Sequence, residues 1–206
     1  MSLVLAIPAP PVIVRNRTVA TCVKGALMLY AFGFERVGVL VSDLYFVDPN
    51  PYKGQEGPEH GVRLELRVLE RGELKGSIYS ARPISVGKPV WRADLLESAD
   101  GKPGSHDRTH YHPAFSGWNP SKRTFVKELS ADPIGWLGAQ LSDLPALLAG
   151  ADVPADTVGE HDAADIRAAV PEILSVTQRL LSRVRAGELG TAPDGDSPES
   201  ARDSWL

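Results

Sequence analysis

Between residues 61 and 68 apolar and polar side chains alternate strictly. Val62, Leu64, Leu66 and Val68 fall on one side of an extended chain, and Arg63, Glu65 and Arg67 on the other. This is the period-two signature of a strand with one wet face. ERGE at 70–73 reads as a short turn and residues 75–82 as the returning partner strand. Residues 83–89 then link to a third strand over 90–98, and ADGKPG at 99–104 turns the chain into a fourth over 105–112. Upstream, the valine- and aromatic-rich residues 35–48 predict a long strand that stops at a loop full of proline and glycine, 49–61. Residues 12–16 (VIVRN) predict a short strand. Residues 20–32 fit either a helix burying Val23, Leu27 and Tyr30 or the second half of a β-rich N-terminal part, with Gly25 and the β-branched neighbours leaving both open.

The period changes after residue 131. Asp132-Pro133 combines a capping carboxylate with a proline at the first helical position, and the helix it starts carries Ile134, Trp136, Leu137 and Leu141. LPALLAGA at 144–151 predicts a further short helix. Residues 160–186 predict a longer amphipathic helix with Ile166, Val170, Ile173, Leu180, Leu181 and Val184 on one stripe, kinked or divided at Pro171 and ended by Gly187. The acidic Glu160, Asp162 and Asp165 suit the positive end of its macrodipole. Residues 188–206 are acidic and poor in apolar side chains, which predicts disorder, with Trp205-Leu206 at the end. The expected fold is α+β: an antiparallel meander sheet of about five strands with C-terminal helices packed on one face. The corresponding division is a mainly β part (1–131), a helical region packed on it (132–187) and a tail (188–206).

A net charge of −4 argues against a nucleic-acid binder that works by bulk electrostatics, though a local basic patch remains open. The one cysteine, Cys22, can form no internal disulfide, which fits a reducing cytoplasm. The apolar opening, MSLVLAIPAPPVIV, has no basic residues before it and is interrupted by prolines, so it is not read as a signal peptide. The next apolar stretch contains Lys24 and is too short to span a bilayer. A cytoplasmic location without membrane attachment is the expectation.

Chemistry concentrates in SHDRTHYHPAF, residues 105–115, where three of the five histidines fall within seven positions. On a strand, His106, Arg108, His110 and His112 share one face. On the preceding strand Arg92 and Asp94 share one as well. A register placing Arg92 opposite His110 puts Asp94 opposite Arg108, and two arginines, a carboxylate and the imidazoles converge. A one-residue slip separates them. Such a set suits acid–base catalysis by a histidine pair, with Arg92 and Arg108 holding a phosphate and Asp94 orienting an imidazole. It also suits a divalent transition-metal site on His110 and His112, completed by Asp94 or His106. The same alternation describes a solvated hairpin face with an Asp94–Arg108 ion pair. Lys122, Arg123 and Lys127 extend a positive patch or lie as ordinary surface residues. Trp118 is expected in the core beneath a loop, with stacking on a base as the alternative. His60 and His161 are expected as surface or cap residues.

Arg92-x-Asp94 followed by His110-x-His112 resembles the core of TumE-type toxin proteins of bacterial toxin–antitoxin modules. The likeness runs from about residue 61 to residue 112; the 99–109 spacer is differently composed, without the paired histidines expected just after Arg-x-Asp, and the N-terminal third and the helical C-terminal third have no counterpart. The resemblance implies a toxin-like role with a cognate antitoxin-like partner and leaves the reaction open. Two functions follow as expectations: an enzyme acting on RNA or a nucleotide through the His/Arg/Asp strand site, or a non-catalytic interaction module whose histidine strand is merely solvated.

Overall fold

The computed structural model describes residues 27–192. The strand expected at 12–16, Cys22, most of the 20–32 segment and the chain beyond residue 192, with Trp205-Leu206, lie outside the described residues. Five strands form one antiparallel sheet in chain order: β1 (Leu29–Gly33), β2 (Val37–Val47), β3 (Pro58–Arg71), β4 (Ile84–Ser98) and β5 (His110–His112). A two-stranded hairpin, β6 (Phe115–Ser116) with β7 (Asn119–Pro120), follows. The helices are α1 (Lys127–Ala131), α2 (Pro133–Ser142), α3 (Leu144–Gly150) and α4 (Asp162–Arg185), with a single 3-10 turn at Ala155–Thr157. The fold is the α+β meander with helices on one face.

Residues 29–33 settle as a strand because Tyr30 and Phe32, two apart, lie opposite Val41 and Val39. Aromatic and β-branched cross-strand pairs of this kind favour a sheet. The first hairpin is longer than its turn signals suggest. Residues 75–82 are not the partner strand; β3 runs on to Arg71, residues 72–83 form the connection, and β4 begins at Ile84. All of the expected link but Pro83 is therefore strand. Pro89 is tolerated because it sits at the register shift between Arg67 and Leu69, where the ladder is already interrupted. The expected fourth strand is also shorter. Gly104 (φ 85°) and His106 (φ 52°) turn the backbone, Asp107 Oδ1 accepts from Ser98 N–H at 3.1 Å, and pairing begins only at His110.

The helices cover one face of the sheet. Val39, Val41, Val62, Leu64, Leu66, Trp91, Ala93 and Leu95 from the strands share a buried cluster with Leu129, Leu137, Leu141, Ile166, Ile173 and Leu180. Asp132 and Asp143 cap α2 and α3 by accepting from Gly135 N–H and Ala146 N–H. Helix α4 passes through Pro171 as one element rather than dividing there. Asp162 does more than complement the dipole. It is fully buried, and its carboxylate accepts from Gly159, Glu35 and Arg36 N–H at 2.6, 2.7 and 3.2 Å, pinning the helix to the β1–β2 turn. The ordered chain also continues past residue 187. Leu189 is buried, and Gly190 N–H donates to Asp43 Oδ2 at 2.9 Å, so 188–192 belong to the fold rather than to a tail. Among the described residues, no helix is long and apolar enough to cross a membrane.

Candidate functional site

The face of the sheet opposite the helices carries the polar halves of the same strands. The registers line up Ser42, Arg63, Asp94 and His110 across β2, β3, β4 and β5, and next to them Leu40, Glu65, Arg92 and His112. The pairing across β4 and β5 therefore differs from the expected one. His112, not His110, faces Arg92, and His110, not Arg108, faces Asp94. The shift is two residues, an even number, so the side chains stay on the intended face and the convergence survives.

Asp94 is the centre. It is 1% exposed. Arg63 grips it with Nε 2.7 Å from Oδ1 and Nη2 3.4 Å from Oδ2. Arg92 Nε lies 3.0 Å from Oδ2, off the line of a hydrogen bond. His110 Nε2 and His112 Nε2 approach the same oxygen at 3.4 and 3.5 Å. Burial on its own raises a carboxyl pKa, but Arg63 and Arg92, helped by the two imidazoles, hold Asp94 well below the usual carboxylate range. Asp94 is ionised at neutral pH.

Backbone carbonyls orient both imidazoles. His110 Nδ1 donates to Arg108 O at 2.7 Å, and His112 Nδ1 donates to Ser121 O at 2.5 Å. A carbonyl oxygen only accepts, so the proton sits on Nδ1 in each ring, and in the neutral form each Nε2 presents its lone pair. His112 Nε2 uses that lone pair to accept from Arg92 Nη2 at 2.9 Å. Burial pushes the His112 pKa below the usual imidazole value, Asp94 opposes this and the Arg92 charge adds to it. The two rings meet edge to face, with centroids 5.0 Å apart.

These groups form the base of a cleft of about 440 Å³. Leu44, Phe46, Pro49 and Pro120 give it apolar walls, and Arg123 reaches in from the segment after β7. Arg123 is itself held by Glu59 at 2.9 Å and Asp48 at 3.2 Å. Phe115 stacks on the Arg92 guanidinium, 5.7 Å from ring centre to Cζ. Volume and lining suit a small polar ligand or one residue of a polymer.

Of the six expected site residues, Arg92, Asp94, His110 and His112 come together and His106 and Arg108 do not. The turn at 104–107 takes both off the strand. Arg108 donates to Gly54 O at 2.7 Å and tethers the loop before β3. His106 joins Glu97 and Arg185 at the edge of β4. The Asp94–Arg108 pair of a solvated hairpin is replaced by Asp94–Arg63. Arg63 and Glu65 are the members that sequence reasoning left out of the site. Their signal was the wet half of the 61–68 alternation, which becomes part of the site once β3 pairs with β4 in register. Trp118 is 65% exposed on the β6–β7 hairpin, 5.6 Å from the Arg67 guanidinium, and not in the core. His60 lies within β3 rather than in a loop, and His161 precedes α4.

Chemically, the arrangement offers two oriented imidazole bases, an ionised carboxylate and two guanidinium groups at one point. The set Asp94, His110 and His112 also has the composition of a metal-ligand group, with one donor atom from each lying within 4.8 Å of the others. Comparison with protein-family models, with curated proteins and with solved structures finds no match to this chain.

Proposed function

We propose that the protein is an enzyme acting on a phosphate-bearing substrate, RNA or a nucleotide, through His110, His112, Asp94, Arg92 and Arg63. One observation carries this: two imidazoles, each oriented through Nδ1 by a carbonyl, aim Nε2 at a single buried carboxylate flanked by two guanidiniums beneath an open cleft. In a ribonuclease-like reaction His112 accepts the proton of the attacking 2′-hydroxyl, the new P–O2′ bond forms as the P–O5′ bond breaks, and His110, entering the step as the imidazolium, gives its Nε2 proton to the leaving O5′. The Asp94 carboxylate stabilises the imidazolium, and the guanidiniums complement the charge on phosphorus.

The likeness of Arg92-x-Asp94 and His110-x-His112 to TumE-type toxins supports the same direction, and with it a cytoplasmic role alongside a cognate antitoxin-like protein. A second reading, a non-catalytic docking module, is favoured by the 72–83 connection, where Ile78 and Tyr79 are almost fully exposed. Expression of the wild type beside a His110→Ala/His112→Ala variant in a bacterial host separates the two. The enzyme reading expects slowed growth and degraded RNA with the wild type only. Equal growth and intact RNA in both, repeated with purified protein and RNA, would sink it and leave the docking module.

A further inference from the structure

We infer that Asp94, His110 and His112 form a displaceable site for a divalent transition metal, with the Arg92 guanidinium as its built-in occupant. The geometry is already close to coordination. In a tetrahedral site with bonds of about 2.0–2.1 Å, neighbouring donor atoms sit about 3.3–3.4 Å apart. The two Nε2–Oδ2 edges measure 3.4 and 3.5 Å, and the third edge of the triangle is no longer than 4.8 Å. The donors are prepared as metal ligands are prepared. Each imidazole spends Nδ1–H on a carbonyl, the outer-sphere contact that fixes ring orientation and tautomer in metal sites. Two imidazoles with one carboxylate suit zinc, cobalt, nickel or copper better than calcium or magnesium, which prefer oxygen.

Arg92 holds the place of the ion. Its Nη2 is 2.9 Å from His112 Nε2 and its Nε is 3.0 Å from Asp94 Oδ2, so a cationic group already bridges two of the three donors. It has somewhere to go: Glu65 Oε1 stands 3.9 Å from Nη1 on the adjoining strand. Entry of a metal moves the guanidinium toward Glu65 and engages both Nε2 lone pairs. Metal binding and acid–base chemistry are then mutually exclusive, and the ion is an inhibitor of the site rather than its cofactor. This regulatory consequence rests on the proposed function; the binding site does not.

The test uses the purified full chain, stripped with chelator and titrated with Co(II) and Zn(II) by visible absorption and calorimetry. One ion per chain is expected. The His110→Ala/His112→Ala variant is expected to bind more than roughly a hundredfold more weakly, since even outer partners of such ligands are worth ten- to a hundredfold. Arg92→Gln, relieved of a like charge, is expected to bind roughly tenfold or more tightly. Should the double variant fail to fold by circular dichroism, His112→Gln replaces it. Equal binding by wild type and histidine variants overturns the site. Arg92→Gln no tighter than wild type overturns the placeholder. Binding with no loss of RNA cleavage overturns the inhibition. Binding by a protein that never cleaves RNA leaves the metal site standing and removes only the proposed function.

Discussion

The two faces of one sheet are built from alternate residues of the same strands and obey different physics. On the helix side, Val62, Leu64, Leu66, Ala93 and Leu95 are buried by packing that has no direction. On the cleft side, Arg63, Glu65, Arg92, Asp94, His110 and His112 are also largely buried, and each is held by partners at specific distances. The first face tolerates any well-shaped apolar side chain. The second tolerates little, because removal of one partner strands the others. A face that costs so much to bury without a hydrophobic return is where function is to be sought.

Four measurements break or sharpen this contrast. The largest effect is expected from Asp94→Ala, which removes the buried carboxylate that the largely buried Arg63 and Arg92 guanidiniums share: a loss of about 3–5 kcal/mol in urea unfolding. A loss under about 1 kcal/mol would mean that the ion cluster is not structural. Leu64→Ala, its counterpart on the apolar face, is expected to cost about 2–5 kcal/mol by leaving a cavity, with the proposed RNA activity of the folded fraction unchanged. Loss of activity there would erase the distinction between the faces.

Third is pH. Burial lowers the pKa of both His106 and His112, against the pull of Glu97 in one case and Asp94 in the other. A group with a depressed folded pKa is more readily protonated when unfolded. The stability these imidazoles confer is therefore complete above about pH 6.5 and declines as pH falls below it. Unfolding curves at pH 7.5 and 5.5 check this, and the decline should shrink in a His106→Gln variant; stability that rises on acidification contradicts it. Least affected is the connection between β3 and β4. Ile78→Ser and Tyr79→Ser touch neither face and should stay within about 0.5 kcal/mol of wild type. A larger loss would point to a contact that the fold makes through this arm.

How much of this was legible in the sequence follows from how local each signal is. The 62–68 alternation, the Asp132-Pro133 helix start and the stripe along α4 are signals within one element, and each appears as expected. The partner strand of β3 was misplaced because Pro83 and Pro89 read as linker, while the register shift that accommodates Pro89 exists only after β3 and β4 pair. That Arg92 and Asp94 share a face of one strand, and His110 and His112 a face of the next, was legible from parity. The register was not, because it depends on the length of the 99–109 turn, where a positive φ at His106 withdraws that residue and Arg108 from the strand. Arg63 was visible as a polar side chain, but its grip on Asp94 is set between strands and leaves no mark on either one.

The Asp162 carboxylate joins positions 126 and 127 residues apart, taking backbone N–H groups from both ends of that span. A chain emerging from synthesis must therefore complete most of its length before this knot can be tied, and contacts of such separation slow the approach to the native state. A fragment stopped short of residue 162 would carry the cleft residues yet lack the acceptor that secures the first turn. The cleft face and the distant helix would thus be expected to appear together in time, as a single cooperative event.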